Sequence, residues 1–77
     1  MSKIQSVVFF ENYGWTPIKA RSWLKKNKLI PIKVVDKHLH GELRYRIRNP
    51  KLFDHFITKK IEPGLDLIIG YQTKKRY

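Results

Sequence analysis

The chain has 77 residues and no cysteine, and 17 lysines and arginines against six acidic residues give it a formal charge of +11. Its length fits one small domain over residues 1–77, and the lack of cysteine excludes disulfides and thiolate metal sites. It contains no apolar run of about 20 residues, the length of a membrane-spanning helix, and the residues after Met1 do not resemble a secretory signal.

The first predicted strand runs from Ile4 to Phe10 and is apolar, β-branched and uncharged. Regular alternation places its even-numbered residues on one face of a sheet and its odd-numbered residues on the other. Because both sets are largely apolar, we expect this strand to be central in the sheet or covered on both sides. Glu11 to Gly14 then read as a turn.

A helix is predicted after this turn, because Thr16 is a favourable N-cap and Pro17 suits the first helical position. An apolar stripe between Ala20 and Leu24 predicts the buried face of the helix. Trp15, directly before the cap, is expected to pack on Ala20 as a hydrophobic staple. Pro31 is predicted to stop the helix.

The next two strands are predicted to form an antiparallel hairpin. The first spans Ile32 to Lys37, and the second spans Glu42 to Arg48 with apolar residues alternating against charged ones. Successive arginine Cα atoms on the charged face are expected about 6.8 Å apart, since a strand rises about 3.4 Å per residue. The three arginines, which we call the arginine ladder, are Arg44, Arg46 and Arg48.

The remaining chain predicts a short helical turn from Pro50 to Asp54, a strand from Phe56 to Ile61 and a last strand from Leu65 to Tyr71. Pro63-Gly64 joins the last two strands as a turn, and Gly70 marks a bulge or a close backbone approach. Residues 72–77 are expected to form a mobile basic tail. The expected fold is α+β, with the order β-α-β-β-β-β: about five mostly antiparallel strands and one helix on one face.

The positive charge predicts an anionic partner, and nucleic acid is the favoured one. Arginine matches phosphate with two hydrogen bonds, so the arginine ladder is the leading candidate site. The alternative is an ordinary solvated face with Glu42 and other acids pairing across strands. Further candidates lie outside the ladder: Lys19, Arg21, Lys25, Lys26, Lys28, Lys59, Lys60, Lys74, Lys75 and Arg76.

Other residue types give weaker signals for chemistry. Tyr13 and Trp15 are able to stack on nucleic-acid bases, although a packing role is favoured for Trp15. The histidines and neighbouring acids have no recognised metal-ligand spacing, so solvated loop residues are favoured over a metal site. A metal-dependent nuclease built from them is a distant alternative. The residues concerned are Asp36, His38, His40, Asp54 and His55.

A longer pattern of residues extends from Ile4 to Tyr71. Its parts are Ile4-Gln5-Ser6-Val7, Trp15-Thr16, Ala20, Trp23-Leu24-Lys25, Tyr45-Arg46-Ile47-Arg48, Pro50, Phe53, Thr58-Lys59-Lys60 and Ile69-Gly70-Tyr71. This pattern resembles a small, mostly uncharacterised domain found in proteins of large DNA viruses and tailed phages. The resemblance implies a viral source and no established enzymatic activity.

The sequence thus predicts a non-enzymatic viral protein that grips the phosphate backbone with low sequence specificity, DNA being favoured over RNA. No cofactor, metal or membrane partner is expected. The alternative is an interaction module of a virion or replication complex that docks on an acidic protein surface. We expect the protein in the host cell, in nucleus or cytoplasm, or in the virion, and not secreted.

Overall fold

The computed structural model describes residues 2–33, 36–37 and 41–73, with the backbone alone for 36–37. Its elements are β1 (Ser2–Phe10), a 3-10 turn (Glu11–Tyr13), α1 (Pro17–Lys26), β2 (Asp36–Lys37), β3 (Glu42–Arg46), a second 3-10 turn (Pro50–Leu52), β4 (His55–Glu62) and β5 (Leu65–Tyr71). The predicted α+β class, one helix with an antiparallel sheet, is confirmed. Four strands of at least five residues form most of the sheet, and the two-residue β2 extends one edge.

The strand order across the sheet is β2-β3-β1-β5-β4, and every neighbouring pair is antiparallel. This order confirms that β1 is central, as its apolar faces indicated. The turn between β4 and β5 contains Pro63-Gly64, and Gly64 takes a φ of 79° that favours glycine. β2 and β4 lie at the two edges of the sheet.

Of the described residues in the predicted strand Ile32 to Lys37, Asp36 and Lys37 form β2 and pair with β3, whereas Ile32 and Lys33 belong to no strand. The N–H of Ile32 nevertheless donates to the carbonyl of Arg46 at 2.8 Å. The chain therefore reaches the end of β3 before it enters β2. Residues 34 and 35 lie outside the described part of the chain.

The helix begins as predicted and ends earlier than predicted. The Thr16 hydroxyl accepts from the backbone N–H of Lys19 at 3.2 Å, and Pro17 is the first helical residue. The helix stops at Lys26 rather than near Pro31. Lys28 adopts a left-handed φ of 58° just beyond the end of the helix.

Phe9 is the centre of the hydrophobic core, on the face of the sheet that α1 covers. Its ring centroid lies 4.8 Å from that of Trp15, 5.8 Å from Trp23 and 5.7 Å from Tyr45. Trp15 thus packs in an aromatic cluster, and its predicted packing role finds Phe9 as a partner. The buried members of the core are Val7, Phe9, Ala20, Leu24, Leu43, Tyr45, Ile47 and Leu65.

A β-bulge at Gln5 determines which residues of β1 face α1. Ile4 and Ser6 pair with consecutive residues of β5, so Gln5 is an extra residue on β1. Ile4 therefore packs against the same core as Val7 and Phe9. The predicted alternation is wrong for Ile4, because a bulge moves every residue before it to the opposite face.

Hydrogen bonds across the sheet hold this bulge in place. The Gln5 carbonyl accepts from the N–H groups of Ile47 at 2.8 Å and Arg48 at 3.1 Å. The Gln5 side-chain amide donates to the Arg48 carbonyl at 2.9 Å, and the Ser6 hydroxyl donates to the Gln5 amide oxygen at 2.9 Å. These bonds satisfy the side chains of Gln5 and Ser6, which are both buried.

Gly70 gives room for an aromatic ring, which confirms the predicted close approach at this position. A Cβ added to Gly70 would overlap ring atoms of Phe53. Phe53 follows the second 3-10 turn, and its ring centroid lies 6.1 Å from that of Phe56. The glycine therefore lets the segment between β3 and β4 close over the end of β5.

We expect Gly70→Ala to lower the free energy of unfolding by about 1–3 kcal/mol, because the added methyl group overpacks against Phe53. Urea unfolding followed by tryptophan fluorescence measures the change. The matched control is the same substitution in a Phe53→Ala background, where most of the loss should vanish. An equal loss in both backgrounds would contradict the steric account.

Candidate nucleic-acid interface

Two members of the arginine ladder lie on the face of the sheet that is turned away from α1, which we call the distal face. Arg44 pairs with Val8 and Arg46 with Ser6, in alternation with the core residues Val7 and Phe9. Strand register completes this surface, whose members are Ser6, Val8, Phe10, Glu42, Arg44, Arg46, Thr58, Lys60, Asp66 and Ile68.

Arg44 and Arg46 keep most of their hydrogen-bond donors available. Among the described side chains, the acidic oxygen nearest to the Arg44 guanidinium is that of Glu42, 3.9 Å from Nη2, which is too long for a hydrogen bond. The buried Nε of Arg44 has no hydrogen-bond partner. Within the described residues, the Arg46 side chain takes part in no hydrogen bond or ion pair. An exposed ion pair such as Arg44–Glu42 contributes at most about 1 kcal/mol, so an anion can displace it.

Arg48 does not continue the arginine ladder. β3 ends at Arg46, because the Gln5 bulge interrupts pairing at the next residue. The Arg48 guanidinium instead donates from Nη1 to the backbone carbonyl of Ile4 at 2.8 Å. The Arg48 side chain is thus bound to the backbone beside the bulge. The expected row of three evenly spaced arginines is therefore reduced to two.

The cations of α1 lie on the opposite side of the sheet from Arg44 and Arg46. Arg21 lies beside Tyr45, a core residue of the helix-covered face. Burial raises the pKa of the Tyr45 hydroxyl above its usual 10.0, and the Arg21 guanidinium offsets part of that rise. The predicted cations therefore form two separate surfaces. The exposed cations on or just after the helix are Lys19, Arg21, Lys25, Lys26 and Lys28.

The two lysines of β4 are divided between the same two surfaces. Lys60 pairs with Asp66 and so belongs to the distal face, whereas Lys59 pairs with the partly buried core neighbour Leu67. Both lysines are exposed. Three strand spacings of about 4.8 Å separate Arg44 from Lys60. The distal face thus offers positive charge on both sides of Asp66.

The remaining predicted residues do not assemble a site within the described part of the chain. The Asp54 carboxylate accepts from the Thr73 hydroxyl at 2.6 Å, and the His55 ring packs 6.0 Å from the ring of Tyr71. No group of three or more His, Cys, Asp or Glu able to hold a metal occurs among residues 2–33 and 41–73. The predicted candidates that lie outside the described residues are His38, His40, Lys74, Lys75 and Arg76, and the side chain of Asp36 lies outside them too.

Asp66 lies on the distal face and was not among the site residues predicted from the sequence. It is 8% exposed and lies between the arginines of β3 on one side and Lys60 of β4 on the other. Its signal in the sequence is a single acid within the apolar strand Leu65–Tyr71, on the face opposite Leu65 and Leu67. That position became informative only once the register placed it beside Val8 and Lys60.

No protein-family model, curated protein or solved structure matches this chain. The resemblance to the viral and phage domain therefore stays a prediction. Among the described residues, the one helix is too short and too polar to cross a membrane.

We expect Arg48→Ala to lower the free energy of unfolding by about 1.5–3 kcal/mol, because the Ile4 carbonyl loses a charged hydrogen-bond donor. Arg46→Ala should change it by no more than about 0.5 kcal/mol, since that side chain holds no partner among the described residues. Urea unfolding of both variants measures the difference. Equally small losses would contradict a structural role for Arg48.

Proposed function

We propose that this domain binds nucleic acid through the phosphate backbone, without enzymatic activity, and that the distal face makes the contact. The observation that carries this proposal is the pair Arg44 and Arg46. Both guanidinium groups lie on a strand whose backbone is fixed by two neighbours, and neither has a strong acidic partner among the side chains that the structure describes. Arginine in that state favours phosphate, since it retains its donors and is less strongly hydrated than lysine.

The net charge supports this choice of ligand. With a charge of +11, the chain attracts any polyanion, so binding should be salt-dependent and weakly selective for sequence. Arg44, Arg46 and Lys60 together offer three phosphate contacts on the distal face. Three contacts on duplex DNA predict a loss of about 40-fold in affinity between about 50 and 200 mM salt. We propose DNA as the preferred nucleic acid. We also propose that the chain is a viral or phage protein, and this second proposal rests on the resemblance alone.

The test compares two variants of equal charge by fluorescence anisotropy with single- and double-stranded DNA over a salt series. Replacing two cations by glutamate lowers the charge by four, so both variants go from +11 to +7. The first is Arg44→Glu with Arg46→Glu, and the second is Lys25→Glu with Lys26→Glu. Arg48 stays intact in both, because it holds the bulge.

We expect the arginine variant to lose more than about 10-fold in affinity and the helix variant about 3-fold or less. Circular dichroism confirms that both variants are folded. The reverse order would move the contact surface to α1. Wild-type binding that is equally tight at both ends of the salt series would contradict a phosphate grip altogether.

A second candidate function, docking on an acidic protein, is favoured by the edge strand β4. All eight residues of β4 are exposed, and Phe56, Ile57 and Ile61 are 41%, 45% and 40% exposed. No strand among the described residues pairs with its outer edge. An exposed edge with apolar side chains suits the addition of an extended segment from a partner. Lys59 and Lys60 would favour acidic residues in that segment.

For this second candidate, we expect an extended peptide of alternating acidic and apolar residues to bind by calorimetry. Backbone N-methylation at alternate residues of the same peptide should abolish binding, because strand addition depends on main-chain hydrogen bonds. An Ile57→Asp variant should bind the unmodified peptide more weakly. Equal binding of the methylated peptide would rule out strand addition and leave only charge attraction.

A further inference from the structure

A cleft opens on the sheet where the end of β1 meets the turn between β4 and β5. It has a volume of about 740 Å³ and opens widely to solvent. Its lining residues are Phe10, Asn12, Tyr13, Lys60, Ile61, Glu62, Pro63, Gly64 and Asp66. It therefore combines aromatic and apolar walls with a small number of charged groups, as small-ligand sites do.

The turn between β4 and β5 gives the cleft its aromatic wall. Gly64 lies directly beneath Tyr13, since a Cβ at Gly64 would overlap the Cβ of Tyr13. The Tyr13 side chain is 62% exposed, although it is held against this turn. An exposed aromatic ring is a surface on which a planar ligand can stack.

Asp66 supplies one of the polar side chains that line the cleft. It is 92% buried, because 8% of its surface remains exposed, yet its carboxylate has no hydrogen bond or ion pair within the described residues. The carboxylate oxygens are not among the buried side-chain atoms that lack a hydrogen-bond partner, so they are accessible from the cleft. A ligand that donates hydrogen bonds to the Asp66 carboxylate would therefore bind more tightly.

We propose that this cleft holds one unpaired base of a nucleic-acid strand, with a preference for guanine. The inference rests on the proposed nucleic-acid function and adds base recognition to it. A carboxylate accepts through two oxygens, and the Watson–Crick edge of guanine presents two neighbouring N–H donors. Adenine and cytosine present one amino group there, and thymine presents a single imino donor. Tyr13 would stack on the base while Asp66 accepts from its edge.

The cleft lining carries Lys60 against the carboxylates Glu62 and Asp66, so the net charge of the whole chain is what favours a nucleotide over a cationic ligand. A lysine or arginine from a protein partner would also satisfy Asp66, but it would approach a chain of charge +11. A nucleotide joins a donor edge to an anionic phosphate. Lys60 lies next to Asp66 across the β4–β5 pair, and Arg44 lies two strands away on the other side, at about 10 Å. Phosphates on either side of the base thus meet a cation.

The test measures affinity for two single-stranded oligonucleotides of about 12 nucleotides, a length within the range of small binding modules. One is all thymidine, and the other has guanosines at its centre. Fluorescence anisotropy compares wild type with Asp66→Asn, whose amide replaces one acceptor oxygen by a donor. The readout is the ratio of the two affinities, because the lost negative charge changes binding of both oligonucleotides alike.

We expect wild type to favour the guanosine strand by about 5-fold to 100-fold and Asp66→Asn to bind both strands equally. Tyr13→Ser should weaken both strands, since stacking is not selective for the base. Thermal melting confirms that both variants are folded. A wild-type affinity ratio of one, with salt-sensitive binding of both strands, would contradict the proposed base site in the cleft. The proposed phosphate binding would be unaffected by that result.

Three other results would show which part of the proposal is wrong. A guanosine preference that survives in Asp66→Asn would also overturn the assignment of the base to this cleft. Absence of binding to either strand would remove the proposed function and this inference together. Binding of an arginine-containing peptide to wild type but not to Asp66→Asn, with no oligonucleotide binding, would make the cleft a protein site.

Discussion

The structure depends on burying both faces of β1. On one face, Phe9 packs against three aromatic rings. Of these, Trp23 belongs to α1 and Trp15 directly precedes the N-cap of that helix. On the other face, Val8 is only 2% exposed because its neighbours on the distal face shield it. A domain of this size has few large side chains to bury, so one doubly covered central strand secures much of its core. That arrangement also forces the cations of α1 and those of β3 onto opposite surfaces.

The Gln5 bulge links this core to the charge on the surface. It returns Ile4 to the core, and it ends the pairing of β3 just after Arg46. Arg48 is then committed to the Ile4 carbonyl, which leaves Arg44 and Arg46 as the available pair. Asp66 lies beyond β1 on the same face, so a donor-rich region and an acceptor lie about 10 Å apart. The proposed phosphate contacts and the proposed base site therefore have separate places on one surface.

Local signals in the sequence predicted much of the fold. Thr16 and Pro17 located the start of the helix, and Pro63-Gly64 located the last hairpin, because caps and tight turns depend on residues close in sequence. The bulge had no such signal, since Gln5 and Arg48 are 43 residues apart in the chain and meet only through strand pairing. The place of Asp66 beside Arg44 and Lys60 likewise depends on register between distant strands, so the cleft was beyond prediction from the sequence.

The central claim is that the distal face, and not the face with α1, contacts nucleic acid. The most direct measurement is a titration of ¹⁵N-labelled protein with single-stranded DNA, followed through backbone amide chemical shifts. We predict the largest changes in β3, in β5 around Asp66 and at Lys60, with small changes from Pro17 to Lys26. Changes concentrated in α1, with β3 and β5 unaffected, would contradict the account.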